Sequence, residues 1–260
     1  IGAFNAWKKT EAFETFRTTN AETQLLAYPL ALAMSINGLF IAGLVFVPGL
    51  WNVVEYLFPF ALAAFLGIGL FALSIIGDFL GRVLTTGGVF DVTAHNSFAQ
   101  LLPTFALSMI AVGLAAPAAM STNQFVVSAG VMTSTFFGTA ALVYGLVALF
   151  TAFNSMLHYG TAKEAAPTLM IVIPVMTTLG IMFLRQNHGL HGSFDVHTNA
   201  GETMVFLSRI LSIQFMFLLL QPRAHIGNVM DGTIQVHLDA GNRCFLCLGF
   251  ICELLQLCGN

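Results

Sequence analysis

From Val92 to Ala162 the chain runs 71 residues without an Asp, Glu, Lys or Arg. About a quarter of the residues of a soluble domain are charged, so a run of this length leaves no water-facing side. Two shorter runs precede it, 32 residues between Glu22 and Glu55 and 22 between Glu55 and Asp78. Crossing a hydrocarbon core of ~30 Å takes about 20 apolar residues, so each run holds at least one span and the longest holds more. With 57% hydrophobic and only 8% charged residues overall, the chain reads as an all-α, polytopic transmembrane helical bundle.

Apolar runs and breakers place the spans at about 27–47, 56–80, 99–119, 125–155, 166–185 and 203–221. Ahead of them lies a link over 1–22, and behind them a tail over 222–260. That tail holds a seventh apolar segment, about 244–257, which is too short to span and includes Glu253. The chain opens on Ile1 rather than Met and shows no signal-peptide pattern, so residues are expected ahead of it. Lys8, Lys9, Arg17, Arg82, Lys163, Arg223 and Arg243 fall on one side of the spans and Arg185 on the other, which assigns the amino-terminal side to the cytoplasm. Connections of about eight and five residues make the first four spans two antiparallel hairpins with external tips. The longer connection 186–202, with His188, His191, Asp195 and His197, is expected to be an external loop of the third hairpin.

The search for chemistry is mostly negative. A net charge of −3 without a basic cluster gives no nucleic-acid footprint. His95 and His158 sit at span ends, where they cannot face each other as haem ligands, and the His188–His191–Asp195 group suits a hydrated loop better than a metal. Cys244, Cys247, Cys252 and Cys258 interleave with apolar residues at a spacing unlike a zinc ribbon. No acid or base lies centrally in the first, third, fourth or fifth span, and Arg209 in the sixth reads as a snorkelling side chain or a partner of Glu202. Neither an enzyme, a resident metal nor a cofactor is expected. Small residues crowd the third and fourth spans (Gly113, Ala115, Ala116, Gly130, Gly138, Gly145), which permits close helix approach in lipid. Proline concentrates in the odd spans (Pro29, Pro103, Pro117, Pro167, Pro174), where a kink frees a backbone carbonyl for packing or for a solute path.

The stretch from Pro29 to Gly49, the run Asn96-Ser97-Phe98…Gly113-Leu114-Ala115-Ala116-Pro117, and Glu164-Ala165-Ala166-Pro167-Thr168-Leu169-Met170-Ile171-Val172-Ile173-Pro174 resemble the tellurite-resistance/dicarboxylate transporter family. That family includes plant slow-type anion channels and fungal sulfite exporters. Over roughly 20–221, the resemblance implies helical hairpins around a central pore, proline-kinked odd helices lining it, and trimeric assembly. The six spans would be the family's third to eighth helices. Nothing after Pro222 resembles the family's last hairpin, so no gating phenylalanine is carried over.

The expectation is therefore a small-anion channel or exporter of the chloride, nitrate or sulfite class. It would sit in a bacterial inner membrane as a homo-oligomer, with small inorganic anions and the bilayer as its partners. Pore-lining candidates are Pro29, Asn37, Pro103, Pro174, Thr178 and Arg185. Asn37 shares a helical stripe with Pro29, Ala33, Ile36 and Phe40, and faces either the path or a neighbouring helix. Pro167, Ile171, Pro174, Thr178 and Arg185 share another face, with Arg185 either at the pore mouth or anchoring the helix end in headgroups. The rival from a different class is a non-catalytic subunit of a larger membrane complex.

Overall fold

The computed structural model describes residues 20–50, 53–86, 98–159, 168–194 and 200–226, with Thr10, Glu11 and Phe13 ahead of them. Among these residues all regular structure is helical and no strand occurs. The six main helices are α1 (Ala27–Phe46), α2 (Val54–Thr86), α3 (Leu102–Met120), α4 (Gln124–Tyr159), α5 (Val172–Phe194) and α6 (Ala200–Ile226). Five stretches, covering α1 to α5, are long and apolar enough to cross a membrane. The chain is thus built as an integral membrane protein, and α6 forms over the expected sixth span.

Alternate helices run in opposite directions, as the short turns demand. Tyr28 of α1 stacks edge-on against Phe71 of α2 at 5.9 Å. Glu55, at the start of α2, accepts a bond from Ser121, just past the end of α3. Gly145 and Gly130 of α4 meet Thr104 and Ala118 of α3, and Phe183 of α5 meets Phe206 of α6 at 5.6 Å. Thr178 and Gly189 of α5 meet Ser108 and the Ala118 carbonyl of α3 in the same order, so these two helices are parallel. Residues 47–50 and the turn 121–123 therefore lie at one end of the bundle, called here the tip; the opposite end is the foot.

The odd helices begin alike, and this corrects the expectation of a proline inside the fifth span at Pro174. A 3₁₀ turn leads into each of them: Asn20–Leu26 before α1, Phe98–Leu101 before α3 and 168–171 before α5. Pro29, Pro103 and Pro174 then fall at the third, second and third helical positions. A first-turn N–H has no intrahelical acceptor, so proline costs nothing there and presets the helical φ. All three prolines start helices at the foot. Pro117, near the end of α3, is the one proline of that helix that removes an internal bond, to the Gly113 carbonyl.

A second correction concerns 186–202. The fifth helix does not stop at Arg185 but continues to Phe194, carrying His188 and His191, both exposed, on its last turns. The reason is a tertiary contact: a Cβ at Gly189 would overlap the Ala118 carbonyl, so glycine lets this polar stretch dock on the end of α3. Asp195 and His197 lie outside the described residues, as do His95, Pro167 and the tail from 227 onward. No group of three His, Cys, Asp or Glu side chains comes together among the described residues. Glu202 and Arg209 are both exposed, and no ion pair between them occurs among the described residues.

At the centre stands α3. Over the most apolar 18 residues of its span 83% are buried, against 17% for the first span. Close approach depends on the small residues noted above. A Cβ at Gly113 would overlap the Phe65 ring of α2, one at Gly138 would overlap Met182 of α5, and one at Gly69 would overlap Phe137 of α4. In lipid, where burial alone gives little drive, such backbone approach supplies the dispersion that holds helices together.

Candidate functional site

The polar groups inside the bundle gather along α5. Because α5 runs parallel to α3 in contact with it, successive turns of one meet successive turns of the other. Thr178 is buried and donates to Ser108 Oγ at 2.8 Å; Ser108 in turn donates to the Phe105 carbonyl at 2.9 Å. The Thr178 hydroxyl also lies 2.9 Å from the Val175 carbonyl, and its single proton serves one of these two acceptors at a time. Two turns nearer the tip, Arg185 Nη1 donates to the Val112 carbonyl at 3.1 Å. That carbonyl lies one residue before the Gly113 carbonyl freed by Pro117, where the α3 backbone is least engaged with itself.

On the next face of α5, Gln186 is buried and its Nε2 donates to Ser134 Oγ at 2.7 Å and Thr135 Oγ1 at 3.1 Å of α4. Toward the foot, Gln214 Nε2 of α6 donates to Thr177 Oγ1 at 2.7 Å. One helix thereby sends polar side chains to α3 and α4 and receives one from α6. A bond of this kind between membrane helices is worth about 0.6–2 kcal/mol.

The central helix is covered unevenly. Between Leu102 and Met120 the half-buried positions are Leu102, Met109, Ala116, Ala119 and Met120. Leu102, Met109 and Ala116 are seven residues apart and form one stripe. Val112, whose carbonyl takes Arg185, lies three residues from Met109 and four from Ala116, hence on the border of that stripe. The guanidinium, itself half-buried, stands at the edge of the part of α3 that the described helices leave uncovered. No acid occurs in α3, α4 or α5.

Of the six candidates, Thr178 and Arg185 are brought together on the α3-facing side of α5. Pro103 starts the helix they face and is buried; Pro174 starts their own and is half-buried. Pro29 is buried with Leu30 and Ala33, and Ile36 and Phe40 pack against the same core, so the expected α1 stripe does face inward. Asn37 lies on it with a buried Nδ2 that finds no acceptor among the described residues. The same holds for Thr104 Oγ1 on α3, beside a cavity of about 50 Å³ lined by Leu101, Ala141, Gly145, Val175 and Leu179.

Several polar residues were missed by sequence reasoning. Gln186 was assigned to a loop, and Gln214 was passed over although it is an amide inside an apolar span, the very signal that singled out Asn37. Gln100, buried near the foot of α3, accepts from Thr151 Oγ1 at 3.4 Å. Glu55 reads in the sequence as a span boundary, but its carboxylate takes Ser121 Oγ at 2.5 Å and the Asn123 N–H at 3.2 Å, pinning the second hairpin's tip to α2. At the foot Glu22, buried, pairs with Arg82 and ties the first 3₁₀ turn to the last turns of α2.

Comparison with protein-family models, curated proteins and solved structures returned no match.

Proposed function

We propose that this chain is the transmembrane body of a small-anion channel or exporter, with the path following the uncovered stripe of α3. The observation that carries the reading is the direction of Arg185. A side chain anchoring a helix end turns outward to the headgroups, whereas this guanidinium turns inward to the Val112 carbonyl. A fixed positive charge beside an acid-free wall raises the local anion concentration, while hydroxyls and backbone groups replace part of the ion's water. Thr178, bonded to Ser108, positions α5 so that the charge stands at this height. The same reading puts the tips outside, in a bacterial inner membrane, and the chain in a homo-oligomer.

The test is anion flux from proteoliposomes holding the full chain, with chloride, nitrate and sulfite compared. Arg185→Gln is expected to lower flux most at low ionic strength, because a mouth charge acts over a Debye length of about 30 Å at 0.01 M salt but only about 8 Å at 0.15 M. Wild-type flux no greater than that of empty vesicles would sink the transport reading. The second reading, a non-catalytic subunit of a larger complex, is favoured by one observation: α6 exposes Arg209 on its outer side.

A further inference from the structure

Of residues 202–218 of α6, those not exposed are Thr203, Phe206, Ile210, Gln214 and Phe217, the stripe that faces α5 and Phe98. About 100° around the helix runs a second stripe, Glu202, Val205, Arg209, Ser212 and Met216, and all five are exposed. Its members are 3, 4, 3 and 4 residues apart, the spacing of a seam along which two helices interlock. Ser212 gives its hydroxyl to the Ser208 carbonyl of its own helix at 2.7 Å. Beside Arg209 the seam thus offers a small side chain that a neighbouring backbone can approach closely. A purely apolar seam would be ordinary in lipid; one centred on an arginine is not.

The contacts of α6 fix the depth of Arg209. Ile210 meets Gly180, and Phe206 meets Phe183, while Phe217 meets Phe98 at 6.3 Å near the foot. Arg209 is eight residues from Phe217, about 12 Å along the axis. In the other direction, Gly180 is nine residues from Gly189, which docks on Ala118 near the tip, so about 14 Å or more separates Arg209 from the tip turn. From Phe98 to Ser121 the bundle spans 23 residues, about 34 Å, close to one hydrocarbon core. Arg209 thus lies near mid-depth, and the nearer end is about twice as far away as a stretched arginine side chain reaches. An arginine at that depth needs an acidic partner inside the membrane or a wet cavity.

The described helices offer no acid at this height. Helices α1, α3, α4 and α5 contain none, and Glu55 and Asp78 lie toward the two ends of α2. Glu202 shares the seam but stands two turns nearer the tip, about 10 Å along the axis. A second copy related by an axis along the membrane normal presents the same residues at the same depths, so it brings Glu202 no nearer to the level of Arg209. Both the described helices and a second copy leave the charge unmatched. The seam itself indicates the form of a group that would match it, because its spacing suits one helix running alongside α6 within the membrane.

We propose that this seam docks a transmembrane helix of another protein, one that carries an Asp or Glu at mid-depth opposite Arg209. Charge complementarity sets the chemistry of the partner and the seam sets its shape; neither depends on what the bundle transports. The probe is a synthetic helix of leucines with a single central Glu, placed with the full chain in phosphatidylcholine vesicles at graded ratios. Association is read by energy transfer from a dye at the amino terminus of the chain. The Glu peptide should associate about tenfold more tightly than the same peptide with Gln or Leu at that position, and Arg209→Leu should abolish the preference. Ser212→Phe, which fills the seam, should weaken association, whereas Leu211→Phe, on the other side of α6, should leave it unchanged. This pair keeps the test decisive even where Arg209→Leu fails to fold. Equal association of the three peptides would overturn the proposal in favour of the lipid headgroups or a carboxylate from elsewhere in this chain. A dimer of the chain in peptide-free vesicles that Arg209→Leu dissolves would overturn it in favour of a second copy. Equal weakening by Ser212→Phe and Leu211→Phe would show that the seam is not the docking surface.

Discussion

Helices α3 and α6 have opposite surroundings, and of the two only α3 is free of charged residues. The first is enclosed by α1, α2, α4 and α5 and keeps only a thin stripe uncovered; the second touches the bundle along one stripe on α5. In water such a difference would be written in the pattern of polar residues, because exposed positions must be wet. In lipid both faces are apolar, and the difference is written instead in side-chain size. The central helix reads Ala111-Val112-Gly113-Leu114-Ala115-Ala116, whereas the peripheral one reads Phe215-Met216-Phe217-Leu218. Small residues admit neighbours on all sides; bulky ones fill space against mobile tails.

The largest effect expected from this contrast is at Gly113. A Cβ there already collides with the Phe65 ring, and Phe65 is itself fully buried with no room to turn. Gly113→Leu should prevent recovery of monodisperse protein from membranes, since overpacking of several atoms exceeds the roughly 1–3 kcal/mol of a single added methylene group. Normal yield and melting temperature would show that α2 can swing away from α3, and the central position of that helix would have to be given up. Next in size is Leu114→Ala, which empties a fully buried site in the central helix. A loss of about 2 kcal/mol or more is expected, measured as a lowered midpoint in thermal melts in mild detergent.

A smaller cost attaches to the polar contacts of α5. In Gln186→Leu the partners Ser134 and Thr135 keep backbone acceptors on Val131, at 3.1 and 2.7 Å, so no buried hydroxyl is stranded. The expected loss is about 1 kcal/mol. Thr178→Val should behave alike, because Ser108 retains its bond to Phe105. A loss above about 3 kcal/mol in either variant would mean that these bonds hold a strained backbone in place rather than simply join two helices.

What could be read in the sequence follows from the same physics. The spans were legible because removal of charge from some 20 residues has no other cause in a folded chain, and the hairpins because turns such as Ser121-Thr122-Asn123 are short. The start of α5 was not. Pro174 looks internal when the apolar run from 166 is taken as the helix, since the 3₁₀ turn 168–171 is as apolar as the helix that follows it. Nor was the end of α5 legible, because Arg185 to His191 is as polar as a loop and is kept helical by the contact at Gly189, which depends on where α3 ends. Of the site, the α3-facing pair Thr178 and Arg185 came from helical spacing alone. Gln186 and Gln214 required knowing which helices touch.

The smallest effect is the one that separates the two helices most cleanly. Leu211 is exposed on α6 and lies two residues from Arg209, which places it about 200° around the helix from the arginine and off the α5-facing stripe as well. Leu211→Ala exchanges a side chain surrounded by lipid for lipid itself, leaves no cavity, and puts the best helix former in place of a good one. A change within about 0.5 kcal/mol is expected, at least fourfold less than for the same substitution at Leu114. The comparison also bears on Arg209. If Arg209→Leu is costly while Leu211→Ala is silent, α6 is covered on the side of Arg209 only. If both are costly, α6 is enclosed like α3, and a partner large enough to wrap it must be part of the working protein. Melting temperatures of the two variants, measured side by side in lipid nanodiscs, decide between these arrangements.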